Sequence, residues 1–188
     1  MTSPTLSAST VPTPDRGPRV VVLIAAALVV AGVGVMVFAL RESSETSPLP
    51  AGDITALLAA AQPAGAPFAG LTEVRLALGD DCLRVVVADD ETERGQGLRG
   101  RTELGPYDGM LFVNVVDTSS AYTMAGVPVA LDIGWYARDG APVDRTEMEP
   151  CPEAGPDCPR YSSRGPYRFA LETLRGELPT GSLGGCPS

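Results

Sequence analysis

The sequence predicts a mainly β protein, a compact β sandwich or barrel with one short helix, preceded by a single transmembrane helix. From Thr72 to Leu174, short runs of β-branched, aliphatic and aromatic residues recur between turn-forming residues, the pattern of successive strands. Across 71–188 no apolar pattern of helical period is sustained. Val20–Leu40, by contrast, is one unbroken run of apolar and small residues. As a helix it extends about 31 Å, matching a hydrocarbon core of about 30 Å.

Residues 1–19 are rich in Ser, Thr and Pro and lack an apolar period, so they read as a disordered tail. Arg16 and Arg19 precede the apolar run, while Arg41, Glu42 and Glu45 follow it. That bias puts the tail in the cytoplasm and everything after residue 40 outside. A cleaved signal peptide, with Val37-Phe38-Ala39 as its small-x-small site, is the competing reading. The length of the run and of the tail before it favours a retained signal-anchor. A lipoprotein needs a cysteine directly after the run, and the first one is Cys82. Residues 41–70 form an extracytoplasmic linker punctuated by Pro48, Pro50, Pro63 and Pro67. Within it, Asp53–Gln62 predicts a short helix capped by Asp53, too short to stand without packing on something.

The β domain spans 71–188. Thr72–Leu78 and Cys82–Ala88 read as two strands joined at Gly79-Asp80-Asp81. In Asp89–Arg101 the acids come first and the arginines later, which complements a helix dipole. A short helix is expected there, capped by Asp89 or Asp90 and ending near Gly95 or Gly97. Met110–Val116, Ala121–Met124 and Val127–Trp135 follow as strands, then Ala141–Met148, a Pro-rich loop from Cys151 to Arg160, and a strand over Tyr167–Leu174.

Composition excludes several classes of chemistry. The formal net charge is -9, and all basic residues are arginines, with no lysine and no histidine. An acidic chain without a basic cluster is not a nucleic-acid binder. Without histidine or lysine, Ser-His-Asp and Cys-His catalysis, histidine-bound zinc and lysine Schiff bases are all ruled out within the chain. No cofactor and no metal are expected. Four cysteines, Cys82, Cys151, Cys158 and Cys186, follow the apolar run. An even count outside the cytoplasm favours disulfides, with three connectivities open and a four-thiolate zinc site as rival. The expected pairs are Cys151 with Cys158, closing the Pro-rich loop, and Cys82 with Cys186, pinning the Gly-rich tail.

Three groups of residues could carry chemistry. Arg94, Arg99 and Arg101 offer guanidinium forks for an anionic ligand, or pair with the local acids Asp89, Asp90, Glu91 and Glu93. Asp132 stands alone in a strongly apolar run, so it is either a strand-end acceptor of backbone N–H bonds or an acid partnered by Glu147 or Glu149. Tyr161, Ser162 and Ser163 follow the cysteine loop and either line a pocket or make an ordinary turn.

GMLF at 109–112, Tyr122-x-Met124 and Leu131-Asp132-Ile133 form the core of a family resemblance. Glu93–Leu98, Pro150-Cys151, Tyr161, Ala170-Leu171-Glu172 and Gly176 flank them in the expected order. Over roughly 71–188 the chain resembles the domain of unknown function 192 (DUF192), which implies the same mainly β architecture. Where that family commonly has Trp-Met-Lys-Asn and Pro-Leu-Asp, this chain has Thr123-Met124-Ala125-Gly126 and Ala130-Leu131-Asp132. The combined reading is a membrane-tethered extracytoplasmic domain that binds a ligand or partner in the cell envelope. It is held in the membrane by Val20–Leu40, with an envelope protein or a small anionic ligand as partner. A carboxylate-based hydrolase using Asp132 with Glu147 or Glu149 is the alternative.

Overall fold

The computed structural model describes residues 54–187. The expected disordered tail over 1–19, the expected transmembrane helix over 20–40 and the expected linker as far as Asp53 lie outside the described residues. Among the described residues no helix is long and apolar enough to cross a membrane. In chain order the elements are α1 (Ile54–Ala59), β1 (Gln62–Pro63), β2 (Thr72–Leu78), β3 (Asp81–Ala88), α2 (Glu91–Gln96) and β4 (Gly109–Thr118). They continue with β5 (Tyr122–Thr123), β6 (Leu131–Tyr136), β7 (Pro142–Met148), β8 (Arg160–Tyr161), β9 (Tyr167–Leu174) and β10 (Leu183–Gly184).

The mainly β architecture is as expected, but of the sandwich or barrel anticipated from sequence no closed barrel forms. One open eight-stranded sheet runs β1-β2-β3-β4-β9-β6-β7, β10 pairs with β2, and β5 and β8 make a separate ribbon. Its geometry turns on β3 and β4, which are parallel, with Val86 beside Met110 and Ala88 beside Phe112. A parallel pair needs a long crossover connection, and residues 89–108, including α2, supply it. The crossover puts Leu98, Leu104 and Tyr107 against one face of the sheet, beside Val86, Met110, Phe112, Ile133 and Trp135. On the other face Val85, Val87, Leu111, Phe169 and Leu171 pack with Ile54, Leu178 and Leu183. Helix and loops thus cover both faces, and no closure is needed to bury them. Burial on both faces also explains why β6 reads as a continuous run: all six of its residues are buried.

Part of the stretch read as linker belongs to this packing. Ile54 anchors α1 in the second cluster, and Ala64 and Phe68 enter the first. A six-residue helix is unstable alone, and burying one Ile side chain contributes about 1.5–3 kcal/mol toward holding it. Tyr107 ties the same stretch to the sheet. Its hydroxyl accepts from the Gly65 N–H at 2.7 Å and donates to Glu73 Oε2 at 2.7 Å. Arg84 completes the group with two hydrogen bonds to Glu73, at 2.9 and 2.8 Å.

The β2–β3 hairpin closes across Leu78 and Asp81, leaving Gly79 and Asp80 as its loop. Gly79 has φ 61°, and a Cβ there would lie 2.3 Å from the Thr180 carbonyl oxygen, so this position requires glycine. Both expected disulfides are present, Cys82–Cys186 across a separation of 104 residues and Cys151–Cys158 across 7.

Candidate functional site

The site begins with the caps of α2. Asp90 is its N-cap and accepts from the Glu93 N–H at 2.8 Å, while the Glu93 carboxylate accepts from the N–H groups of Asp90 and Asp89. This capping box occupies two of the acids that the sequence offered to the arginines. Arg94 turns instead to backbone, donating to the carbonyls of Asp89 and Val113 and thereby fastening α2 to β4. Gly97 then ends the helix at φ 47°, where a Cβ would come within 3.3 Å of the Phe112 ring. The turn sends Leu98 into the core and Arg99 toward the cleft beside it.

Arg99 donates to the carbonyls of Gly95, at 3.1 Å, and Ala125. Its acceptor Ala125 is held from behind by the cysteine loop. Gly126 donates to the Cys151 carbonyl at 2.8 Å, Cys151 donates to the Val127 carbonyl at 3.0 Å, and Gly100 donates to the Gly126 carbonyl at 2.8 Å. Among the described residues neither Arg94 nor Arg99 has a carboxylate at ion-pair distance.

Between these arginines and the sheet lies a cleft of about 250 Å³, walled by Phe112, Tyr122 and Val127. Phe112 meets Tyr122 edge-on with ring centroids 5.2 Å apart, and Tyr122 contacts Trp135 and Tyr167 at 6.3 and 6.2 Å. The Tyr167 hydroxyl donates to the Ser120 carbonyl at 2.7 Å, fixing the chain that leads into β5. At the cleft floor is Glu172, only 6% exposed. It stands across from Met110 on β4 and Ile133 on β6. Burial pushes its carboxyl up to about 8, against the opposing pull of the Arg99 charge. Among the described residues no protein group donates a hydrogen bond to it. Burial likewise raises the Tyr122 and Tyr167 hydroxyls above their ordinary value.

The residues singled out from sequence therefore separate. Arg94 and Arg99 enter the cleft, whereas Arg101 stacks over the Phe68 ring at 4.8 Å. Asp132 pairs directly with Glu147 in the β6–β7 ladder, and both line a depression on the opposite face with Arg145 and Thr146. Asp132 Oδ2 accepts from the Gly176 N–H at 2.8 Å, and its buried Oδ1 has no partner among the described residues. Glu149 is drawn off to Arg175 at 2.8 Å. The Tyr161 hydroxyl accepts from the Glu149 N–H, Ser163 donates to the Gly165 carbonyl, and Ser162 is exposed; none of the three lines the cleft. Glu172, Tyr122 and Phe112 are the site residues that sequence reasoning missed. For Glu172 the signal was available: it is the one acid inside the apolar strand YRFALETL.

The DUF192 family model, described as Uncharacterized ACR, matches residues 74–182. The chain belongs to the DUF192 family. That DUF192 span contains every cleft residue from Arg94 to Glu172 and leaves out α1, β1, β10 and Cys186. A crystal structure of a protein of unknown function from Novosphingobium aromaticivorans is similar to this DUF192 chain at 26% identity and TM-score 0.55. The similarity covers 66% of this chain and 93% of that one. A second crystal structure, from Sinorhizobium meliloti and described provisionally as a transcription regulator, matches at 28% identity and TM-score 0.49, covering 60% of this chain and 92% of that one. No curated protein matches the DUF192 chain.

Proposed function

We propose that this DUF192 protein is a membrane-tethered, extracytoplasmic module that binds a small anionic ligand in the cleft between α2 and the sheet. One observation carries the reading. Arg94 and Arg99 reach the cleft held by backbone carbonyls, and among the described residues no carboxylate lies at ion-pair distance from either. Guanidinium groups so placed and pre-oriented offer paired donors to an incoming anion at little ordering cost. The extracytoplasmic placement rests on the apolar run Val20–Leu40, and two disulfides suit an oxidising compartment. The hydrolase alternative draws less support. The side chain of Glu147 is 71% exposed and lies 3.6 Å from Arg175, so water is not excluded from the carboxylate that would partner Asp132.

Two measurements on the full-length protein test the proposal. In spheroplasts, externally added protease should digest the C-terminal domain; protection of that domain would overturn the outward topology. In lipid nanodiscs, benzoate should bind at pH 6, and replacing both Arg94 and Arg99 with Gln should weaken it about tenfold or more. Equal binding by the double variant would remove the cleft from the function.

A further inference from the structure

Glu172 is the group in this cleft that anion binding by arginine does not explain. A carboxyl that is 6% exposed, aimed into the cavity and given no donor by the protein is costly as an anion. An anion-binding site gains nothing from a second negative charge. Protonated, however, the same group presents an O–H toward the space in which the anion sits. We infer that the cleft takes a small carboxylate with a single ring or short apolar body, held jointly by the Arg99 guanidinium and by the O–H of a protonated Glu172. This inference rests on the anion-binding reading of the cleft.

The ligand class follows from the walls and the volume. A carboxylate has two oxygens, enough for one guanidinium donor and one O–H donor, and acid–carboxylate hydrogen bonds are among the shorter and stronger kinds. Phe112, Val127 and the Tyr122 ring give the cavity an apolar and aromatic wall for the body of the ligand, with the polar side chains of Asn114, Ser120 and Thr123 also along its lining. At about 250 Å³ it falls below the roughly 300–1,000 Å³ of sites that enclose drug-sized molecules, so one ring is the natural size.

The surroundings of Glu172 determine how binding responds to pH. Arg94 faces the cleft from α2, Arg99 from the turn after it, Tyr122 from β5 and Tyr167 from β9. The cross-strand neighbours, Met110 on β4 and Ile133 on β6, carry no charge. No second acid lines the cavity, and burial holds both tyrosines neutral through the accessible range. Glu172 is therefore the one cleft group that changes charge between pH 6 and 9. Once it ionises, the bound carboxylate faces a like charge. Binding above that point must return a proton to Glu172.

Calorimetric titration of the full-length protein in nanodiscs with benzoate, in buffers of different ionisation enthalpy, tests this. Near pH 9 each benzoate should bring close to one proton onto the protein, and near pH 6 almost none. Affinity should fall about tenfold per pH unit above pH 8. Glu172→Gln keeps a neutral donor and should abolish both the proton uptake and the slope. Benzoate binding without proton uptake at pH 9 overturns the role of Glu172 and leaves the anion site standing. Binding of inorganic phosphate in preference to benzoate overturns the carboxylate class. Absence of both probes at pH 6 overturns the anion site itself. Should the Gln variant fail to fold, the proton count on the native protein decides.

Discussion

Asp132 and Glu172 are the two buried carboxylic acids of the described domain, and their environments oppose each other. Asp132 has the Gly176 N–H as donor, while Glu172 has none and sits on the other face of the sheet. Because the folded-state carboxyl of Glu172 is raised from 4.5 to about 8, the folded chain keeps a proton that the unfolded chain has already released. Stability must then fall as pH rises from about 4.5 to about 8, and level off above, for a loss on the order of a few kcal/mol. Glu73 and Asp144, whose values are lowered, act in the opposite direction and only in acid. Urea midpoints between pH 5 and 9 should show the decline in the native chain and lose most of it in Glu172→Gln; the same slope in both would contradict the assignment. Both acids interrupt an apolar strand in the same way, so each was legible in sequence as a residue in need of a reason. What the sequence does not disclose is which face carries a cavity. That depends on Arg99 and Tyr122 arriving there from elsewhere in the chain.

Secondary structure was legible where packing imposes a period. β2 and β9 start and stop where the sequence predicts, and α2 uses Asp90 and Gly97, both among its anticipated caps. Of the four two-residue strands only β5 lay within an anticipated run, Ala121–Met124; β1, β8 and β10 leave no pattern, and Pro63 argues against a strand except at the sheet edge where it lies. A sandwich or barrel was expected because eight short runs look alike, whereas the parallel β3–β4 pair follows from a long-range choice that local residues do not encode. The cysteine loop is the element whose role is least visible from its own residues. Through Cys151 it fixes 125–127, and through Ala125 it fixes Arg99. Replacing Cys151 and Cys158 with Ser should therefore lower benzoate affinity severalfold at a temperature where the variant is fully folded. The small ring contributes roughly 2–3 kcal/mol to stability at most, so folding should survive. Unchanged affinity in the folded variant would show that the loop does not support the site.

At the scale of the whole domain, the two borders of the sheet are defended differently. The outer edge of β2 is occupied by β1 at one end and β10 at the other, whereas β7 leaves the polar side chains of Arg145, Thr146 and Glu147 on the opposite border. Covering β2 with both β1 and the C-terminal β10 has a mechanical result. Cys82 and Cys186 join the start of β3 to the strand-bearing tail, so tension between residues 54 and 187 runs through α1, β1 and β2, crosses the sulfur–sulfur bond and leaves. The 104-residue separation it bridges, roughly 350 Å of extended chain, carries no load. Pulling the oxidised protein in an optical trap should release only the short outer stretch, and adding reductant should add that hidden length; its release without reductant would contradict the shunt. Force between the two ends then strips the border of the sheet while β4, β6 and β9 stay slack, with Arg99 and Glu172 still in place around whatever they hold.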